Sequence, residues 1–231
     1  MSQPVAVTLV MLIILLLALP LMSMLTGRRI RSAAAGPFTK LWRYSRTIVI
    51  LWSLTALAWY ALRLHGLDAA DVGVRPPHHP LDVLLGLAFV AVMLVFGSAR
   101  RSFDAEYRRA ISAVVPATRA EWLLFIPLAA SAGICEEFLY RGYALYVITA
   151  MTGSVWIAAL LSSLAFGLGH AYQGKAGMIG AVVSGLFYAC VFLYTGSLLP
   201  CMLGHFVQDI AGAILLRRNL DASVSAAPEA A

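Results

Sequence analysis

Charge is scarce in this chain. Asp, Glu, Lys and Arg supply 12% of its 231 residues, about half the roughly 25% of an ordinary soluble domain. Cysteine is scarce too. Cys135, Cys190 and Cys201 are the three present; they lie in or beside apolar stretches, at spacings that match no zinc motif, and read as small buried apolar residues. No His-Glu-x-x-His occurs, so the familiar zinc-protease arrangement is missing. No internal repeat of the kind that marks many transporters is visible. The net charge is +6, but no nucleic-acid motif accompanies it, and the polar segments are too short to carry one. No basic residue precedes the first apolar run, whereas Arg28, Arg29 and Arg31 follow it. That is the reverse of a secretory signal, so the run is expected to be a permanent helix with its C-terminal end in the cytoplasm.

Hydrophobic residue is what the chain has in excess, at 61% of the sequence and a mean hydropathy of +0.84. Seven apolar runs cover residues 5–25, 47–64, 81–98, 128–151, 155–169, 178–194 and 198–216. Their lengths suit a hydrocarbon core of about 30 Å at ~1.5 Å rise per residue. The expected fold is therefore all-α, a multi-pass transmembrane helical bundle of about seven spans. Its expected organisation is three N-terminal transmembrane helices plus a cytoplasmic interfacial segment over 1–118, a four-helix core over 119–218 and a disordered tail over 219–231.

Lys and Arg orient such a chain. Arg28, Arg29, Arg31, Lys40, Arg43 and Arg46 fall in the first loop, and Arg100, Arg101, Arg108, Arg109 and Arg119 in the third. Lys175, Arg217 and Arg218 lie on the same side, against Arg63 and Arg75 on the other. The expectation is an outside N-terminus and a cytoplasmic C-terminus, and the Ala/Val/Leu/Arg-rich composition suggests a bacterial inner membrane. Residues 76–80, Pro-Pro-His-His-Pro, read as a stiff solvated connector. Residues 99–120 read as an interfacial segment whose arginines meet anionic headgroups. Pro127 suits the first turn of the fourth span, which is expected to begin near Leu128.

Ionisable groups inside apolar spans are costly and mark function by default. The fourth span carries Glu136, Glu137 and Arg141. Glu137 and Arg141 are four apart on one helical face and suit an ion pair. Glu136 points elsewhere, has no such partner, and suits a general base. The fifth span ends Phe166-Gly-Leu-Gly-His170, with the ring and the imidazole one turn apart and glycines that let a helix or a substrate backbone come close. The seventh carries His205 and Asp209, four apart. These could simply satisfy each other in lipid, or Asp209 could fix the tautomer of a histidine that donates to an oxyanion or binds metal. Counted from a start near Leu128, the three positions come to similar depths.

Together these motifs resemble the CAAX protease and bacteriocin-processing family of intramembrane proteases, also called CPBP or Abi. The carrying residues are Glu136-Glu137-x-x-x-Arg141-Gly142, Phe166-x-x-x-His170 and His205-x-x-x-Asp209, over about residues 120–216. The resemblance implies an intramembrane endopeptidase hydrolysing a peptide bond of a membrane-associated or C-terminal segment of a peptide or protein substrate in or at the membrane. It implies Glu136 with His170 as the water-activating pair, His205 and Asp209 as stabilisers of the tetrahedral intermediate, and Glu137 with Arg141 as the supporting ion pair. Where some relatives carry Asn, this chain has Asp209, which would donate only if protonated or act through His205.

The cofactor question stays open at this point. Glu136, His170 and His205 could form a zinc site with one open position, or the same residues could act as a metal-free glutamate protease. Other function classes are a non-catalytic membrane partner such as a bacteriocin self-immunity protein, a proton-coupled transporter, and a haem protein ligated by His170 and His205.

Overall fold

The computed structural model describes residues 3–32, 37–98 and 105–225. Among these there is no strand, and helices follow one another along the chain. They are α1 (Gln3–Ile13), α2 (Leu19–Ser32), α3 (Pro37–Leu64), α4 (Val83–Ser98), α5 (Ala105–Ser112), α6 (Arg119–Glu137), α7 (Leu145–Thr152), α8 (Val155–Gly169), α9 (Gly174–Thr195) and α10 (Leu199–Ser225). A wider π turn, Ile14–Ala18, joins α1 to α2, and another, Phe138–Ala144, joins α6 to α7.

Five continuous helical stretches are long and apolar enough to cross a membrane: Pro4–Gly27, Lys40–Leu64, Arg119–Thr152, Ala171–Thr195 and Leu199–Asp221. Two shorter apolar helices, Pro80–Leu94 and Val155–Gly169, complete a set of seven. The fold is an all-α multi-pass bundle. Many large apolar side chains point outward, among them Leu17, Val49, Leu123, Trp156 and Tyr194, which suits a surface that faces lipid rather than water.

The N-terminal boundary of α6 differs from the sequence expectation. The helix begins at Arg119 and Pro127 lies inside it. Thr118 is the N-cap, accepting from Glu121 N at 3.2 Å, while Glu121 Oε2 accepts from Ala117 N at 2.6 Å and from Lys40 Nζ at 3.2 Å. A cap of this kind is worth about 1 kcal/mol, and the buried Lys40–Glu121 pair ties the first turn to α3. Together they hold helix on both sides of a proline whose own residue is exposed. A start near Leu128 therefore does not set the depth of the site. The turn at Gly153 does: Glu136 and His170 stand equally far from it along two consecutive rods, one running up to the turn and one running down from it.

Two other expectations change. The stretch 219–225 is helical, extending α10 beyond residue 216. Leu216 and Leu220 pack against the cluster of Tyr44, Ile111 and Phe125, and Arg217 Nη2 meets Asp221 Oδ1 at 2.8 Å, an i,i+4 pair that supports the added turns. Only 226–231 of the expected tail lie outside the described residues, as do residues 99–104 of the interfacial segment with Arg100 and Arg101. In the connector, His79 caps the turn before α4. Its Nδ1 accepts from Leu81 N at 3.2 Å, and Asp82 Oδ2 accepts from His79 N at 3.1 Å.

Packing places the site. α3 runs parallel to α6, with Tyr44 against Phe125 and Leu51 against Ala132 and Cys135. Trp52 Nε1 donates to Ser131 Oγ at 3.1 Å between the same helices. α4 crosses α10 at backbone distance, since a Cβ on Gly86 or Gly204 would collide with the other helix's main chain. The largest core cluster surrounds the π turn, joining Leu139, Tyr143 and Ala144 to Met11, Leu15, Leu62 and Leu198.

Candidate active site

Glu136 and Glu137 end α6 where the π turn begins. Consecutive residues on a helix point about 100° apart, so the two carboxylates go different ways. Glu137 is fully buried, and its Oε1 accepts from Arg141 Nη1 at 2.8 Å and from His205 Nδ1 at 2.8 Å. Arg141, also fully buried, lays its guanidinium over the Phe166 ring at 4.4 Å, a cation–π contact. The expected pair of Glu137 with Arg141 is present in this geometry, and it reaches further than the sequence indicated, to His205 of the third motif.

Phe166 ties the three motifs together. Its ring lies 4.5 Å from the His170 imidazole and 5.8 Å, edge-on, from that of His205. Its carbonyl, which can only accept, stands 2.8 Å from His170 Nδ1. His170 therefore carries its Nδ1 proton toward Phe166 O and turns Nε2 the other way. His205 does the same toward Glu137. Both Nε2 atoms face one oxygen: Glu136 Oε2 lies 4.0 Å from His170 Nε2 and 3.8 Å from His205 Nε2. Asp209 Oδ1 is 3.8 Å from His205 Nε2. All six residues singled out in the sequence thus meet in one place. The carboxylate that orients His205 at its Nδ1 is Glu137, with Asp209 standing at the far nitrogen.

Glu136 Oε2 is shut off from solvent and has no hydrogen-bond partner among the described residues. An unsatisfied buried carboxylate oxygen is expensive. Its distances to the two Nε2 atoms suit one water bridging at ordinary hydrogen-bond length. A two-histidine, one-glutamate donor set is chemically apt for a divalent metal, with both tautomers already held by outer partners. The spacing is less apt: tetrahedral ligands at about 2.0–2.1 Å from zinc sit only ~3.3 Å from one another. Among the described residues no three His, Cys, Asp or Glu side chains are grouped closely enough to hold a metal.

The site opens into a cavity of about 450 Å³. Glu136, His170, Asp209, Tyr140 and Gln208 line its polar part, Leu51, Leu54 and Leu128 its apolar wall, and Arg43 and Arg46 also border it. Gln208 accepts from Tyr188 Oη at 3.1 Å. Tyr188 stacks on His205 with ring centroids 6.1 Å apart. No sequence signal marked Tyr188, because nothing in its local spacing tells that it faces the seventh helix.

The order and spacing of the three motifs, now joined at one point, can be set beside known families. Residues 118–211 match the Rce1-like family, described as type II CAAX prenyl endopeptidase. The resemblance drawn from the motifs is shown over that segment. The Rce1-like segment holds all six site residues, and the match supports a CAAX-type intramembrane protease at the family level. It leaves α1 to α5 unmatched, although α2, α3 and α5 help to wall the cavity beside the Rce1-like segment. No curated protein and no solved structure matches the chain.

Proposed function

We propose that this protein is an intramembrane endopeptidase of glutamate type, with Glu136 as the general base. The observation that carries this reading is the unpaired Glu136 Oε2 facing two Nε2 atoms at 4.0 and 3.8 Å inside a cavity large enough for a peptide. A water held by Glu136 and His170 gives a proton to Glu136 as its oxygen adds to the scissile carbonyl carbon. The carbonyl oxygen becomes an oxyanion and accepts from His205 Nε2–H. That donation requires a proton on both ring nitrogens, and the carboxylates of Glu137 and Asp209 flank the ring to balance the charge. Collapse of the tetrahedral intermediate breaks the C–N bond, and Glu136 passes its proton to the departing amine. Asp209 acts through His205, while Glu137 and Arg141 hold the imidazole in place. A zinc ion, when bound, would be held by Glu136, His170 and His205 and would polarise the carbonyl; the route above does not need it.

The substrate fitting this cavity is a peptide or protein segment in or at the membrane, with apolar residues against Leu51, Leu54 and Leu128. The Lys and Arg distribution supports an outside N-terminus and a cytoplasmic C-terminus in a bacterial inner membrane. Arg43 and Arg46, which border the cavity, then lie toward its cytoplasmic side. The deciding experiment is turnover of a fluorogenic peptide library by detergent-purified protein and by Glu136→Gln. Loss of cleavage in the variant supports the reading, and normal turnover by it removes Glu136 as the base.

A further inference from the structure

The cavity beside Glu136 is rich in acceptors and short of donors. The carboxylates of Glu136 and Asp209 accept, and His170, whose Nδ1 proton points at Phe166 O, turns an acceptor toward Glu136 at Nε2. An oxyanion forming there needs N–H or O–H groups aimed at it. His205 Nε2 donates only with a proton on both ring nitrogens, and His205 is 3% exposed and does not line the cavity. Tyr140, Tyr172 and Gln208 do line it, and they carry donors that need no added proton. The two phenols stand on the His170 side. Tyr140 Oη lies 3.8 Å from a Cβ placed on Gly169, and the Tyr172 ring lies 6.0 Å from the His170 imidazole. Gln208 comes from α10, the helix that carries His205 and Asp209.

Gln208 is held with its donor end free. Tyr188 is buried, its ring packed against those of His205, Phe89 and Phe187 at 6.1, 6.0 and 5.5 Å. Its Oη makes one hydrogen bond among the described residues, to Gln208 Oε1 at 3.1 Å. A buried phenol with one polar neighbour spends its proton there, so that neighbour turns its carbonyl oxygen inward and its NH2 away. Tyr188 thus orients the amide as Glu137 orients His205. Gln208 Nε2 has no partner among the described residues. On α10, Gln208 and Asp209 stand ~60° and ~40° to either side of His205, at ~100° per residue. One turn on, Gly212 also lines the cavity, and a Cβ there would meet nothing within 4 Å. A peptide main chain can lie against the helix beside the amide.

Resting on the endopeptidase reading, we propose that Gln208 is a further catalytic residue, whose Nε2–H donates to the scissile carbonyl oxygen as it becomes an oxyanion, and that Tyr188 is the residue that positions it. The oxygen gains negative charge as water adds to the carbonyl carbon, and the amide holds it without giving up a proton. This donor is present whatever the protonation of His205. A hydrogen bond to an ionised group is about twice as strong as one between neutral groups. The contact therefore favours the intermediate over the bound peptide and acts on the chemical step.

The test uses full-length protein in nanodiscs. Turnover is measured on a fluorogenic peptide library. Retention on immobilised protein is measured for randomised octapeptides carrying a central phosphinate, a charged tetrahedral group, and for the matched amides. Gln208→Met is expected to lower kcat about a hundredfold, the usual worth of one oxyanion donor, with KM within about threefold. It should lower the preference for phosphinates over amides by a similar factor. Tyr188→Phe frees the amide to turn and should lower kcat about tenfold. The double variant should be no slower than Gln208→Met, because Tyr188 acts through the amide. The double variant also removes the buried hydroxyl that Gln208→Met strands, so it keeps the test valid if the single variant folds poorly. An effect of Gln208→Met on KM alone, or additive losses in the double variant, overturns the assignment. So does a phosphinate preference that survives Gln208→Met and is lost in Tyr140→Phe or Tyr172→Phe. Absence of turnover in the wild type counts against the protease reading, while retention still decides the donor. A phosphinate preference lost in the double variant supports it, and a preference that is unchanged or absent from the start refutes it.

Discussion

Glu137 Oε1 and His205 Nδ1 stand 2.8 Å apart, although α6 and α10 bring them from distant parts of the chain. The same oxygen receives Arg141 Nη1 at 2.8 Å. One buried carboxylate thus joins the first motif to the last and decides which nitrogen of His205 faces Glu136. A histidine on such a carboxylate keeps its orientation and its Nδ1 proton, as histidines in hydrolytic and metal sites commonly do.

Removing that carboxylate should therefore damage both fold and chemistry. Glu137→Ala leaves Arg141 buried without a counter-charge, a change that typically costs ~3–5 kcal/mol. Lower expression and a lower melting temperature in detergent are expected, together with loss of turnover. Glu137→Gln preserves shape and should melt closer to wild type, yet lose activity by about a hundredfold or more. An active Glu137→Gln protein would show that the His205 contact is merely architectural.

Glu136 should behave in the opposite way. Its Oε2 makes no hydrogen bond and is closed off from solvent, and Glu137 and Asp209 remain beside His205 when it is neutralised, so Glu136→Gln removes a buried charge without leaving the imidazole uncompensated. The variant is expected to melt at or above the wild-type temperature while turnover falls by about a hundredfold to ten-thousandfold, the usual range for a lost general base. A drop in melting temperature alongside the lost activity would mean that Glu136 supports the fold.

Gly185 on α9 faces Arg141. A Cβ placed there would come within 3.1 Å of both Arg141 Nη2 and Ser163 Cβ. Gly185→Ala should push the guanidinium off the Phe166 face and destabilise by ~1–3 kcal/mol, as overpacking does. Thermal melts and turnover measured on the same preparation check this. The neighbouring Gly180→Ala, with open space around its Cβ, serves as the control that should change neither.

Metal dependence follows from the spacing of Glu136, His170 and His205. Dialysis against a strong chelator is expected to leave turnover within about twofold, since a ligand set wider than the ~3.3 Å of tetrahedral zinc favours a bridging water. Metal analysis on the same sample supplies the second readout. Stoichiometric zinc whose removal and return abolish and restore activity would reverse the proposed glutamate mechanism.

Some of this was readable before any coordinates. Apolar runs of membrane length gave the all-α bundle, and the spacing of Glu137 and Arg141 gave their ion pair, because the helix repeat is a local property. The α6 boundary was misread. Pro127 is a strong local stop signal, and the cap at Thr118 draws on Lys40 of another helix, which no window of sequence contains. The end of α10 was misread for a similar reason: Leu216 and Leu220 gain their stability from Tyr44 and Phe125. Asp209 was the natural orienting carboxylate for His205 at a separation of four, yet Glu137 occupies the Nδ1 side and Asp209 lies at Nε2, 3.8 Å away.

Residue order alone therefore determined the all-α multi-pass class and the identity of the six ionisable side chains, whereas of the seven apolar runs five form helices of membrane length and two form shorter ones. Periodicity and the cost of charge in lipid act within one segment, and they can be read there. Only the packed bundle decided which carboxylate holds His205, that the Phe166 carbonyl orients His170, and that two arginines of α3 share a cavity with Glu136. Those contacts depend on how deep each helix sits and how it is turned about its axis, and both are set by its neighbours rather than by its own sequence.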